Sequence, residues 1–238
     1  MDFFISIGKL CFMTLLYSNL YNPINSLLEK NYKFNKYKQS RKNYIIKNLI
    51  KSVSMFYIFV RFTLLVDFFN YNLNLSNLII RNFGAIYVGN DLAGLIMVDN
   101  LPITTKFHHI VSVCLYSVVA YTDIENNDII KMISIYTIFS FIPYSVNAFL
   151  GLRFFVNKNS KINKKQILMN KFIDKVRIVA KNTYLLTCFM NWIIHLNYFV
   201  NKIYANLFNL YHLIYIMLLI PIINDDIILL KWLNKKII

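Results

Sequence analysis

R-N-F-G-A-I-Y-V-G-N-D-L-A-G-L-I-M-V-D-N, residues 81–100, is an apolar run that carries a lone carboxylate, Asp91, in its interior. Gly84, Tyr87, Asp91, Gly94 and Val98 recur at helical spacing and share one face. A run of this length predicts a helix able to cross the hydrocarbon core, which takes about 20 mostly apolar residues. An ionisable group at that depth is costly and is expected to face protein or a cavity rather than lipid. Two readings of the face stand side by side. Either the glycines admit a close helix neighbour and Asp91 is one satisfied polar group on a packing surface, or Tyr87 and Asp91 line an interior cavity. In both, the carboxylate needs a partner or a proton.

The next apolar run, 107–121, opens with His108-His109 after a short turn holding Asn100 and Pro102. Pro102 suits a first helical turn, with Asn100 or Leu101 in the cap region. At about 1.5 Å per residue, His109 lies roughly 10 Å from that turn and Asp91 roughly 15 Å from it on the antiparallel neighbour. A His–Asp contact is therefore geometrically allowed. Consecutive helical residues project about 100° apart, so both histidines can border one cavity but are expected to do different jobs. One could act as base or acyl carrier while the other orients it. The alternative is that both satisfy neighbouring backbone or tyrosines.

Working outward, seven apolar stretches approach spanning length: 3–20, 52–69, 79–98, 107–121, 129–152, 182–200 and 207–230. The first contains Lys9 and either spans or lies at the interface. It makes a poor signal peptide, because Asp2 stands where a basic region belongs and no clear cleavage site follows. The expected fold is all-α, a polytopic transmembrane bundle of about seven helices. Composition agrees: the chain is 57% hydrophobic with a mean hydropathy of +0.47, too apolar for an ordinary soluble domain.

The net charge of +15 would suit a nucleic-acid binder, but its distribution argues against one. Connection 21–51 carries eight Lys/Arg and connection 153–181 carries nine, with Lys106, Lys231, Lys235 and Lys236 on the same side if seven helices alternate. Loop 70–78 has no basic residue, and loop 122–128 has Asp123, Glu125 and Asp128. This asymmetry places the C-terminus in the cytosol and the N-terminus across the membrane. Residues 161–181 read as a solvated orientation signal or as a helix on the headgroups. Cys11, Cys114 and Cys188 fall in apolar stretches and read as buried hydrophobes rather than a disulfide or zinc framework.

Further polar residues at membrane depth are candidate cavity-lining groups: Tyr87, Asn147, Asn191, His195 and His212. Pro143 is expected to kink its helix, and Arg153 reads as a headgroup anchor rather than a ligand. Di-iron membrane chemistry needs several histidine boxes. Here Thr105 stands three residues before His108 and the chain has four histidines, which argues against a di-iron centre. Nothing in the sequence supports the alternative of a single metal held by two or three histidines, so no metal or other resident cofactor is expected.

The motifs I-Y-V-G-N-D-L-A-G-L and K-F-H-H-I-V-S-V, followed by the Asn147 to Arg153 segment with its aromatics, resemble the TLC family, the domain shared by TRAM and the ceramide synthases. The resemblance covers most of residues 45–232. It leaves 1–44 as an N-terminal helix with a basic cytosolic loop, and 233–238 as a basic tail. It implies a multi-pass protein of the endoplasmic reticulum or another endomembrane, with membrane lipids as partners. In ceramide synthases the paired histidines serve acyl transfer from acyl-CoA. By that likeness His108 and His109 are the catalytic candidates, with Asp91 as the orienting carboxylate. Ceramide synthases also carry a histidine–aspartate motif after the pair and an aspartate on the next helix. Residues 134–149 contain neither. The expectation is therefore a lipid-binding TLC-like protein that influences lipid composition, with an acyl-CoA-dependent acyltransferase or a membrane translocation accessory protein as alternatives.

Overall fold

The computed structural model describes residues 2–65, 77–122, 127–156 and 164–235. The described residues are helical, with no strand among them. Helix α1 (Asp2–Leu28) is followed by a short α2 (Tyr32–Asn35), α3 (Gln39–Leu65), α4 (Asn77–Met97), α5 (Ile103–Tyr121), α6 (Asp128–Phe141), α7 (Tyr144–Leu152) with a 3-10 turn at Arg153–Phe155, α8 (Lys164–Tyr204) and α9 (Leu210–Leu233). Asparagines start three of them. The side chains of Asn31, Asn127 and Asn209 accept the orphan N–H groups of α2, α6 and α9.

Around an apolar core the bundle exposes large apolar side chains and buries several charged ones, unlike a soluble domain. Phe12 is 64% exposed, Leu186 62% and Met217 62%, while Lys47, Lys51, Asp91 and His109 are buried. Water would drive those large side chains inward, whereas a bilayer takes them as its contact surface. Among the described residues three helices are long and apolar enough to cross a membrane: Phe3–Leu28, Ile103–Tyr121 and Leu210–Leu233. A fourth crossing results if α6 and the stretch Tyr144–Phe155, bent by 43° at their junction, form one broken span. The bend falls at Pro143, as its missing N–H requires. Helices α3, α4 and α8 are less apolar: α3 and α4 bury Lys42, Lys47, Lys51, Asn90 and Asp91, and α8 carries exposed lysines and asparagines as well as buried Asn191 and His195.

Several sequence expectations change. The membrane stretch 182–200 and the basic stretch 161–181 are not separate: α8 is one helix of 41 residues, about 60 Å long, from Lys164 to Tyr204. The basic connection 21–51 is not a loop either, since α3 begins at Gln39 and buries Lys42, Lys47 and Lys51. That helix runs unbroken through residues 44 and 45. Pro102 is the N-cap of α5 rather than a first-turn residue. Lys9 lies inside α1 and donates to Asn82 Oδ1 at 2.7 Å, so the charge that weakened this segment in the sequence has a partner on α4. Loop 70–78 up to residue 76, Asp123, Glu125 and Lys236 lie outside the described residues.

Close approaches at glycine set the frame. A Cβ on Gly89 would stand 2.8 Å from Met13 Cβ, so α1 rests directly on α4. A Cβ on Gly151 would stand 2.9 Å from Leu49 Cδ2, which seats α7 on α3. Between α5, α6 and α9 lies an apolar cluster around Leu115, Ile133 and Ile222. A second cluster, around Val146, Phe149 and Ile173, ties α7 to α8. The polar groups are held between these apolar zones.

Candidate functional site

Lysines 47 and 51 sit one turn apart on α3 and point the same way. Opposite them α4 presents Asp91, which is fully buried. Its Oδ1 accepts from Lys51 Nζ and stands 3.2 Å from His109 Nδ1 on α5. The His109 contact is close but poorly aligned, so it acts by charge and position more than as a directed hydrogen bond. On the far edge of the imidazole, Nε2 lies 2.7 Å from Lys47 Nζ. The result is a buried chain, Lys51–Asp91–His109–Lys47. A proton on Nδ1, facing the carboxylate, leaves Nε2 free to accept from the Lys47 ammonium; this tautomer follows from the partners.

His108 takes a different direction, as the 100° rule requires. Its ring stands edge to face with that of His109, centroids 5.6 Å apart at 80°. Its Nδ1 lies 3.4 Å from Asp225 Oδ2 on α9, and Asp225 Oδ1 accepts from Thr105 Oγ1 at 3.3 Å. The adjacent Asp226 faces elsewhere. It accepts from Tyr136 at 2.5 Å and from Tyr184 at 2.6 Å. Two neighbouring carboxylates are thus set apart by environment, one saturated by phenols and one turned to an imidazole.

These groups surround a cavity of about 240 Å3. Lys47, Lys51, His108, His109, Asp225 and Asp226 reach it, as do Tyr87, Asn147 and Arg153. Asp91 does not; it stands behind His109. A smaller void of about 50 Å3 shares Tyr87, His108 and Ser140 with it and mixes aliphatic side chains such as Ile80, Val88 and Leu115 with the hydroxyls of Ser112, Ser134 and Thr137. Three cationic side chains (Lys47, Lys51, Arg153) and three carboxylates (Asp91, Asp225, Asp226) balance one another around the site, which is how a low-dielectric interior tolerates them.

The remaining expectations divide. Tyr87 lies 4.6 Å under the Lys51 ammonium and lines both voids. Asn147 lines the larger one and donates to Met55 Sδ. Arg153 is no simple anchor: its guanidinium stacks 3.8 Å from the Trp232 ring and faces the cavity. Asn191, His195 and His212 are not part of this site. His195 is held by the Asn191 carbonyl at 2.8 Å and by Tyr215 at 2.9 Å, a buried histidine with both nitrogens engaged. His212 closes the capping box of α9 with Asn209 and faces a separate pocket beside Asp128 and Lys202. Donor atoms of Asp91, His108 and His109 come within 4.8 Å of one another, close enough for a metal ion. Lys51 and Lys47, however, already bring positive charge to Asp91 and His109.

Sequence reading missed four residues of the site. Lys47 and Lys51 were absorbed into a basic connection, although they alternate with Ile46 and Ile50 in a helical pattern. Asp225 and Asp226 lay inside the stretch 207–230, where the rule applied to Asp91 applies equally. No family model, no curated protein and no solved structure matches this chain.

Proposed function

We propose that this chain is a TLC-like multi-pass protein that takes a lipid into its interior cavity and thereby influences membrane lipid composition. In this reading the full bundle crosses an endomembrane, that of the endoplasmic reticulum, about seven times, with α3, α4 and α8 completing the spans and the C-terminus in the cytosol. The observation that carries it is the pairing of two voids at Tyr87 and His108. The larger is bordered by lysine, arginine and carboxylate groups suited to a headgroup, whereas the smaller has none of these and mixes aliphatic side chains with hydroxyls, a wall able to take the start of a chain.

A second reading is supported by the contact between His108 and Asp225. A carboxylate beside an imidazole that borders a cavity is the arrangement of a general base with its orienting group. An acyl-CoA-dependent acyltransferase would use it to deprotonate an amine or alcohol acceptor. The acidic partner would then come from the last helix instead of the motif that ceramide synthases carry beside the pair.

Purified protein analysed by native mass spectrometry, then incubated with labelled acyl-CoA and amine or alcohol acceptors, separates these readings. A co-purifying lipid without turnover supports the first. Turnover lost in His108→Ala promotes the second. An empty bundle that captures translocation machinery would replace both with an accessory role.

A further inference from the structure

We propose that Lys47 is a nucleophilic amine that condenses with a carbonyl ligand, a long-chain aliphatic aldehyde, to form a Schiff base inside the cavity. Three independent features point there. Lys47 is 4% exposed yet reaches the cavity wall, so it meets a ligand rather than bulk water. Its ammonium pairs with the imidazole of His109 and with no carboxylate among the described residues, because Asp91 is engaged by Lys51. Finally, its stem is held in place: a Cβ on Gly94 would stand 2.7 Å from Lys47 Cε and 3.0 Å from Cδ, so the bare glycine forms the slot along which the side chain extends.

An imidazole backed by a carboxylate is a base, not a counter-ion. His109 Nε2 can therefore take a proton from the Lys47 ammonium while Asp91 stabilises the imidazolium. The free amine pair attacks the aldehyde carbon, a C–N bond forms and the carbonyl π pair moves to oxygen. Proton transfer from nitrogen to oxygen through His109 gives the carbinolamine. The C–O bond then breaks with a proton from the imidazolium, water leaves, and an iminium remains. Ammonium plus aldehyde becomes iminium plus water, with charge and atoms conserved and no redox partner required. The aliphatic tail follows from the lining next to the charged wall, where Met55, Val146, Leu150 and Leu229 offer apolar contacts.

The test uses the full chain in lipid nanodiscs with excess hexadecanal and sodium cyanoborohydride, which reduces the iminium to a stable secondary amine for peptide mapping. The expected result is alkylation concentrated on Lys47, ahead of Lys51 and of the exposed lysines. His109→Asn is expected to slow labelling of Lys47 about a hundredfold, the usual contribution of a positioned base. Labelling of exposed lysines with Lys47 untouched in the wild-type protein overturns the proposal. Equal rates in a folded His109→Asn protein overturn the role of His109. The comparison of Lys47 with Lys51 within the wild-type chain needs no variant. Lipid co-purification is read without reductant, so failure of the lipid-binding reading and failure of this one are distinguishable.

Discussion

Asp91 illustrates how a residue can be legible while its role is not. A lone carboxylate in an apolar run announces a buried partner or a proton, and the spacing of two antiparallel helices allowed a histidine contact, which His109 makes. The other partner, Lys51, was not legible, because lysines near a segment end normally orient the chain. Its burial follows from α3 extending past the basic stretch. Breaking the pair from one side should be costly. Lys51→Met leaves the Asp91 charge buried beside a neutral imidazole and is expected to destabilise the protein by about 3–5 kcal/mol. Adding Asp91→Leu should recover much of that loss, since a fully apolar replacement leaves no orphaned charge. Thermal unfolding in detergent of the two single variants and the double variant measures this; additive losses would show that the two groups do not act as a pair.

Element boundaries carried the largest differences. Pro143 divided α6 from α7 as a proline must, and the break was readable. The continuity of α8 was not, because lysines and asparagines interrupt its apolar pattern, and local charge reads as a loop when no neighbour is visible. Gly84 and Gly94 on one face of α4 predicted the close approach of another helix, but it is the Tyr116 ring that stands against Gly84, and the helix contact falls at Gly89, outside that face. The structure seats a helix at Gly89 and a single side chain at Gly94. These two positions should therefore respond differently. Gly89→Ala drives a Cβ against Met13 and its backbone and is expected to loosen α1, lowering the melting temperature. Gly94→Ala meets only the flexible end of Lys47. It should leave the fold in place while moving the ammonium away from His109, so reductive labelling of Lys47 falls with little change in melting. Loss of folding in Gly94→Ala, or unchanged labelling, would contradict the slot.

For the whole molecule, the arrangement of charge is the governing fact. Charged groups are buried among the helices while many large apolar side chains are exposed, an arrangement that fits hydrocarbon surroundings. In the seven-crossing reading the α1–α3 connection and the C-terminus lie on the cytosolic side. Glycosylation acceptor sites placed after residue 30 and at the C-terminus should then stay unmodified in microsomes, and one at the N-terminus should be modified. Modification of the C-terminal site would reverse the orientation.

Composition and the period of the apolar runs, by themselves, determined that this chain is helical and built for a membrane, because both signals are local and survive without knowing any neighbour. They also singled out Asp91 and the histidine pair. Which charges meet was decided only by the tertiary structure. Lys47, Lys51, Asp91, His109 and Asp225 come from four helices spread over residues 47 to 225. Their pairing depends on how those helices are rotated and staggered against one another, which packing at glycines and apolar clusters settles and no local pattern encodes.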